Sequence, residues 1–155
     1  IFEVDVAVLS QTENDSRIIE IPFCREPLVV FVHSRHPWVE RETIRIEELE
    51  GQEVILREPG STTRRAFKQA LKQNRVTIRP IMEIGSREAV WMAVTRGMGI
   101  GIVSNLEYMP HPDLRKLSFL YVDVHTFAYV VCLRERRDSR MINEFLKIVE
   151  ELRDT

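Results

Sequence analysis

Apolar and polar residues recur along the chain with two different periods, which predicts strands and helices in turn. Residues 2–9, FEVDVAVL, place an apolar side chain at every second position, the pattern of a strand with one buried face. Residues 28–32, LVVFV, are apolar without alternation, which favours a strand buried on both faces. Residues 17–27 are predicted to be extended, and further strands are predicted in 52–60, 79–84, 99–103, 114–124 and 126–135.

Helical spacing of apolar residues appears in three other segments. The first begins at Ser61, and the second begins with Ser86 as its N-cap and stops at Gly97. Apart from these three segments, a short helical turn is predicted over residues 44–51, with Gly51 as its stop. The third helix covers residues 139–155, and its last apolar turn is expected to dock on the sheet. Its apolar stripe consists of Met141, Ile142, Phe145, Leu146, Val149 and Leu152.

Strands and helices alternate in this order, so the predicted fold class is α/β. No internal repeat, low-complexity tract or flexible linker rich in glycine and serine interrupts the sequence. If the chain forms two lobes, short extended crossings join them, and the candidates lie around residues 18–25 and 104–120. A strand pattern that starts at the first residue suggests a chain cut from something longer.

Composition and charge narrow the classes of function. The 155 residues are 44% hydrophobic and 30% charged, which is typical of a soluble globular protein, and the net charge of −2 provides no overall basic field for nucleic acid or anionic lipid. No run of apolar residues is long enough to span a bilayer, and the start does not resemble a signal peptide. Cys24 and Cys132 lie in apolar runs without metal-ligand spacing, which predicts buried thiols of a reducing, cytoplasmic compartment; a disulfide between them is unsupported.

The segment REPGSTTRRAF, residues 57–67, carries the strongest candidate chemistry. Gly60 and three hydroxyl residues, Ser61, Thr62 and Thr63, stand at the start of a helix, with Arg64 and Arg65 behind them. Helix N-termini attract anions because their first N–H groups are unbonded and the helix dipole is positive there. One hydroxyl is enough for an N-cap, so the segment is either a well-capped helix or an anion site, with at most one of the two arginines facing a ligand.

Other polar positions have weaker signals. Ser86 begins the next helix after a strand, a place where ligands of α/β proteins bind, but it also serves as a plain cap. Ser10 and Gln11 follow the first strand and are either ligand contacts or a solvated turn. Gly97, Gly99 and Gly101 lack the spacing of a dinucleotide fingerprint and favour close packing instead. His33 and His36 have no further metal ligands nearby, so a polar loop is preferred, and no catalytic nucleophile elbow occurs.

Four segments, in order, resemble LysR-type transcriptional regulators. They are VDVAVLS, EPLVVFVHSRHPW, IRIEELEGQEVILREPGSTTRRAF and EIGSREAVWMAVTRGMGIGIVS, and together they cover nearly the whole chain. The last one looks closest to regulators tied to aminoethylphosphonate catabolism. The family's winged helix-turn-helix, its linker helix, and the opening strand and helix of its first lobe have no counterpart in this sequence.

The resemblance implies an effector-binding domain with a periplasmic-binding-protein-like (type 2) fold. Residues 1–18 and 118–155 would form part of the first lobe, 22–103 the second, and 19–21 and 104–117 the crossover connections. A small anionic effector, such as a phosphonate, would bind in the cleft between lobes. The implied effector contacts are Gly60, Ser61, Thr62, Thr63, Arg64, Ser86, Ser10 and Gln11.

The same resemblance implies no enzymatic activity, cofactor or metal. Promoter DNA would be bound only through the missing N-terminal domain. The regulator would form a homodimer or homotetramer, and no membrane would be a partner. A periplasmic-type solute-binding protein for a small anion and an enzyme on the same scaffold are the alternatives.

Overall fold

The computed structural model describes residues 4–10 and 15–153, and within them strands and helices alternate as predicted. The α/β class is therefore confirmed. Three short 3-10 turns cover Ile46–Leu49, Asn105–Glu107 and Arg134–Arg136. The strands are β1 Val6–Leu9, β2 Ile18–His33, β3 Thr43–Arg45, β4 Glu53–Arg57, β5 Arg79–Ile84, β6 Gly101–Ser104, β7 Leu114–Leu120 and β8 His125–Leu133; the helices are α1 Thr62–Gln73, α2 Arg87–Thr95 and α3 Arg140–Arg153.

The chain divides into two compact units. Unit 1 comprises Ile1–Arg25 and Phe127–Thr155, and unit 2 comprises Glu26–Thr126. Residues 104–126 lie inside unit 2, where β7 pairs with β2 from Val29 to His33. The bounds of these units therefore differ from those of the predicted lobes, mainly at the second crossing.

In unit 1, α3 packs on a sheet in which β8 lies between β1 and β2. The buried side of α3 consists of Ile142, Leu146 and Val149, which contact Val130 and Cys132 of β8. The expectation that the last apolar turn docks is wrong for Leu152, which is 60% exposed, as Met141 and Phe145 are also exposed. The reason is geometric: residues 142, 146 and 149 share one narrow face of the helix, and the other apolar residues are rotated away from it.

In unit 2, β4 and β5 are parallel, β6 is antiparallel to β2, and a parallel bridge joins Val54 of β4 to Ile100 just before β6. The apolar run of β2 is buried on both faces, as predicted. Leu28, Val30 and Val32 pack in the core that also contains α1, and Val29 and Phe31 pack in the core that also contains α2. Unit 2 is thus a sheet with one helix on each face.

Gly97 and the two cysteines were also subjects of predictions from the sequence. Gly97 follows α2 with a φ of +72°, a conformation that glycine adopts without strain, so it ends the helix as predicted. Cys24 and Cys132 form no disulfide. Cys132 is buried as predicted, and burial raises its pKa, whereas the prediction of burial is wrong for Cys24, which is half-buried. No helix in residues 4–10 and 15–153 is long and apolar enough to cross a membrane.

Candidate functional site

Two Gly-Ser pairs lie at the same edge of the unit 2 sheet. Gly60–Ser61 follows β4 and begins α1, and Gly85–Ser86 follows β5 and begins α2. Because β4 and β5 are parallel, with Arg57 opposite Ile84 in the last register position, both helix N-termini meet beyond the carboxyl ends of these strands. A Cβ added at Gly60 or at Gly85 would meet no atom within 4 Å, so the backbone at both positions is open.

The two helices leave this edge on opposite faces of the sheet. Phe67 and Leu71 of α1 pack with Val54 and Leu56 of β4, whereas Val90 of α2 packs with Ile55 on the other face. A crevice forms where consecutive connections diverge in this way, and open α/β sheets bind their ligands at such switch points. The topology therefore marks this edge as the candidate site.

Ser61 is the N-cap of α1 and is only 9% exposed. Its Oγ accepts the N–H of Arg64 at 3.3 Å, and its carbonyl accepts the N–H of Arg65 at 3.0 Å. The backbone N–H of Thr63 has no hydrogen-bond acceptor in the described part of the chain. The Ser61 hydroxyl alone is therefore enough to cap α1, and the N–H of Thr63 is still available to a ligand in the first turn.

Ser86 caps α2 in a different way. Its Oγ accepts the N–H of Ala89 at 3.2 Å and donates to Oε2 of Glu88 at 2.9 Å. The N–H of Glu88 itself, and then the Ser86 hydroxyl, lower the pKa of the Glu88 carboxyl. A carboxylate of the chain thus already occupies the α2 N-terminus, whereas the first turn of α1 contains no acidic residue. Of the two helix starts, α1 is the one still suited to an external anion.

Arginines at this edge are held by carboxylates. Arg64, whose side chain is 13% exposed, donates through Nη1 to the carbonyl of Arg57 and to Oε2 of Glu83, both at 2.6 Å. It therefore links the end of β4 to β5. Arg57 pairs with Glu58 at 2.8 Å and lowers the pKa of that carboxyl. These ion pairs fix the guanidinium groups and reduce their net charge.

A small, partly apolar pocket with a cavity volume of about 10 Å³ lies beside the α1 N-terminus. Trp91 is fixed in it by a hydrogen bond from Nε1 to the carbonyl of Met109 at 3.0 Å, and the ring of Tyr108 meets that of Phe31 edge-on at 6.0 Å. Arg87 and Glu107, which also line the pocket, form an ion pair. Burial raises the pKa of Tyr108. The lining is Phe31, Arg57, Thr63, Arg87, Val90, Trp91, Ile102, Val103, Glu107, Tyr108 and Met109.

The structure brings most, but not all, predicted contacts together. Gly60, Ser61, Thr62, Thr63, Arg64 and Ser86 lie at the edge just described. Ser10 follows β1 in unit 1, and Gln11 lies outside the described residues.

Sequence reasoning missed the aromatic wall of the pocket. One signal for it was available: Trp91 follows Arg87 by four residues and so shares its helix face. Within the described ranges no group of three or more histidine, cysteine or acidic residues could hold a metal.

Sequence comparisons find related proteins of one kind. The model of the LysR substrate binding domain family matches residues 2–153. The HTH-type transcriptional activator CmpR of Synechocystis sp. is 42% identical over 82 residues, 53% of this chain and 27% of CmpR. A RuBisCO operon transcriptional regulator of Acidithiobacillus ferrooxidans is 36% identical over 100 residues, 64% of this chain and 32% of that regulator. The matches thus span about a third or less of either relative's length.

A solved structure covers the chain more completely. The regulatory domain of Synechocystis PCC6803 CcmR, in complex with 2-PG, superimposes with a TM-score of 0.82 and 28% identity, covering 97% of this chain and 74% of that domain. The named relatives are transcriptional regulators and not enzymes.

Proposed function

The chain belongs to the LysR substrate binding domain family and is an effector-binding domain, and we propose that it binds a small anionic metabolite at the N-terminus of α1. The periplasmic-binding-protein-like fold of type 2 is confirmed by the likeness to CcmR. The proposal rests chiefly on one contrast: α1 and α2 start at the same edge, and only α1 lacks a carboxylate of its own there. The ligand is bound without chemical conversion.

Proposed contacts follow from the free donors of the first turn. The N–H of Thr63 and the hydroxyl groups of Ser61 and Thr63 donate to the anion, while Gly60 lets it approach the backbone. Thr62, which also lies in this turn, stays a contact predicted from the sequence. Because the Ser61 oxygen already accepts a hydrogen bond from Arg64, its hydroxyl hydrogen is the part that is available. Arg64 positions the end of β4 against β5, and its charge is largely balanced by Glu83.

Ser86 is a contact of lower rank in this proposal, and Ser10 and Gln11 stay predictions from the sequence. Ser86 already binds Glu88, so an effector group reaching it would meet a negative charge. An effector whose second end carries a hydroxyl or ammonium group fits that position better than one with a second anionic end.

The effector class is a small phosphate-, phosphonate- or carboxylate-bearing metabolite. Support comes from the CcmR domain, which is 28% identical to this chain and was solved with 2-PG. An aminoethylphosphonate-related effector fits the same donors and adds an ammonium group that could face Glu88.

Transmission to DNA is proposed to use a part of the protein outside this chain. The relatives are named as HTH-type or operon regulators and are much longer than the matched region, which supports a regulator with a separate DNA-binding segment. A homodimeric or homotetrameric assembly is part of the same proposal. An effector changes transcription only through different affinities for two arrangements of that assembly.

A thermal-shift titration tests the site. The probes are 2-PG, 2-aminoethylphosphonate, inorganic phosphate, sulfate and acetate, each added to the wild-type chain and to Gly60→Ala, Ser61→Ala and Gly85→Ala. A ligand at one hundred times its dissociation constant stabilises the folded state by about 2.7 kcal/mol. Such a gain raises the melting temperature by roughly 5–11 °C for a domain of this size.

Gly60→Ala is the decisive variant because its Cβ meets no protein atom and Gly60 has no positive φ. It should leave the unliganded melting temperature unchanged and abolish the response to the binding anion. Gly85→Ala, equally open but next to the occupied α2 N-terminus, is the matched control and should keep the response. Equal responses of wild type and Gly60→Ala to a binding anion would refute the α1 site, even if Ser61→Ala melts lower through loss of its cap.

A further inference from the structure

A second polar pocket lies at the opposite edge of the unit 2 sheet, and we call it the histidine pocket. It is formed by the end of β2, the turn before β4 and the connection from α2 to β6. β4 is five residues long, so the two edges are about 16 Å apart along the strand. Its cavity volume is about 430 Å³. The lining residues that matter for the argument are His33, Arg35, His36, Glu53 and Gly97.

Both histidine rings are fixed by the backbone of their own loop. Nδ1 of His33 accepts the N–H of Arg35 at 3.0 Å, and Nδ1 of His36 accepts the N–H of Trp38 at 3.2 Å. A neutral imidazole whose Nδ1 accepts a hydrogen bond carries its proton on Nε2. Each ring therefore has an N–H donor on Nε2 and is half-buried in the wall of the pocket.

The charge of the lining is positive. Arg35 makes no ion pair with any carboxylate in the described ranges, in contrast to Arg57, Arg64 and Arg87 at the other edge. Glu53 is the acidic residue of the lining, and its Oε1 is bonded to Nη2 of Arg79 at 2.7 Å. The guanidinium of Arg35 is thus the uncompensated charge.

Arg35 and His33 converge on one point of the backbone. A Cβ added at Gly97 would lie 3.8 Å from Cγ of His33 and 3.9 Å from Nη2 of Arg35. The ring and the guanidinium are therefore neighbours across a bare glycine, which leaves the space between them open.

From this geometry we propose that the histidine pocket binds the phosphate group of a small molecule or free phosphate, with Arg35 and the Nε2 groups of His33 and His36 as donors. A planar guanidinium and two N–H groups can donate to three oxygens of a phosphate group, and a charge-assisted hydrogen bond is about twice as strong as a neutral one. This site is independent of the effector site proposed above.

Imidazole NMR tests the proposal directly. Long-range ¹H–¹⁵N spectra of the chain, which has four histidines, are recorded while inorganic phosphate is added at constant ionic strength and pH. The Nε2 resonances of His33 and His36 should shift along one saturable curve. His111 is the matched control: its Nδ1 also accepts a backbone N–H two residues on, but it lies outside the pocket and should not shift.

Substitutions of arginine distinguish a direct contact between Arg35 and phosphate from a general electrostatic attraction. Arg35→Ala should weaken phosphate binding by about tenfold or more, because a bond to a charged donor is lost. Arg35→Lys should recover part of that loss. Arg96→Ala removes the same charge from the neighbouring, exposed position before Gly97 and should change the affinity far less. Glycerol 3-phosphate in place of phosphate decides between a phosphomonoester and the free ion.

Three results would overturn the proposal. The first is a shift that rises without saturation or appears equally at His111. The second is an affinity unchanged by Arg35→Ala. The third is loss of the His33 and His36 shifts in Gly60→Ala, because the phosphate would then be acting from the α1 N-terminus.

Discussion

Gly101→Ala should be a severe destabilising substitution of unit 2. Gly101 begins β6 directly opposite Phe31 of β2. A Cβ at this position would lie 2.3 Å from Cζ and 2.4 Å from Cε1 of Phe31, and 2.8 Å from Cγ2 of Val94. Carbon atoms in contact are normally about 3.5–4.0 Å apart, so the Phe31 ring must move by more than about 1 Å.

The magnitude follows from where the ring would have to go. Phe31 is 2% exposed and packs with Ile55, Val90 and Val94, so no empty space receives it. Overpacking of a core costs roughly 1–3 kcal/mol, and we expect about 3 kcal/mol because two buried side chains are displaced. In a domain of this size that lowers the melting temperature by roughly 6–12 °C.

Urea unfolding followed by tryptophan fluorescence measures this loss, since Trp38 and Trp91 both lie in unit 2. Phe31→Leu in the same chain removes the ring that clashes, so the double variant should cost less than the sum of the single variants by at least about 1 kcal/mol. Gly85→Ala is the control without a clash. Additive losses, or a Gly101→Ala midpoint equal to that of wild type, would show that the close approach to Phe31 is not what requires glycine.

Two further predictions concern charge. The side chain of Arg41, and then the N–H of Arg45, lower the pKa of Glu48 from 4.5 to about 2; this carboxylate therefore stabilises the fold above about pH 4.5 and loses its effect as the pH falls toward 2. Glu48→Gln should have a lower melting temperature than wild type at neutral pH. This difference in melting temperature should disappear as the pH falls from about 4.5 toward 2, and a difference that does not depend on pH would contradict the role given to Glu48. Thr63→Glu gives α1 a carboxylate of its own; it should stabilise the helix by about 0.5 kcal/mol and abolish the thermal response to the effector anion, and an unchanged response would exclude the α1 N-terminus.

Local pattern was enough to predict the elements but not all of their bounds. The helix starts at Ser61 and Ser86 were found because a hydroxyl cap is a local signal. β2 was predicted as an extended stretch followed by a buried strand, yet it is one strand of 16 residues. The strand predicted from residue 99 begins at Gly101, after the bridge from Ile100 to Val54. That pairing depends on a strand 46 residues away and leaves no trace in the local sequence.

The candidate site was predictable only where its parts are neighbours in sequence. The Gly-Ser-Thr-Thr run is contiguous, so its position at a helix start was evident. The aromatic wall combines Phe31, Trp91 and Tyr108 from three separate elements, and Arg64 meets Glu83 across 19 residues. Only the fold brings these groups together, so neither the wall nor the pairing of Arg64 follows from the spacing of residues.

Arginines that are paired with glutamates determine what charge an anion meets at the proposed effector site. An arriving anion does not meet bare guanidinium groups, because Arg57, Arg64 and Arg87 are each bonded to a glutamate. Each pair has at least one partner that is well exposed to solvent, so we expect these pairs mainly to orient the strand ends and to limit nonspecific attraction of anions. Binding strength must then come from donors that have no carboxylate, such as the N–H and the hydroxyl group of Thr63 in the first turn of α1. Specificity for one anion would arise from geometry at those donors, with the surrounding charges held nearly balanced.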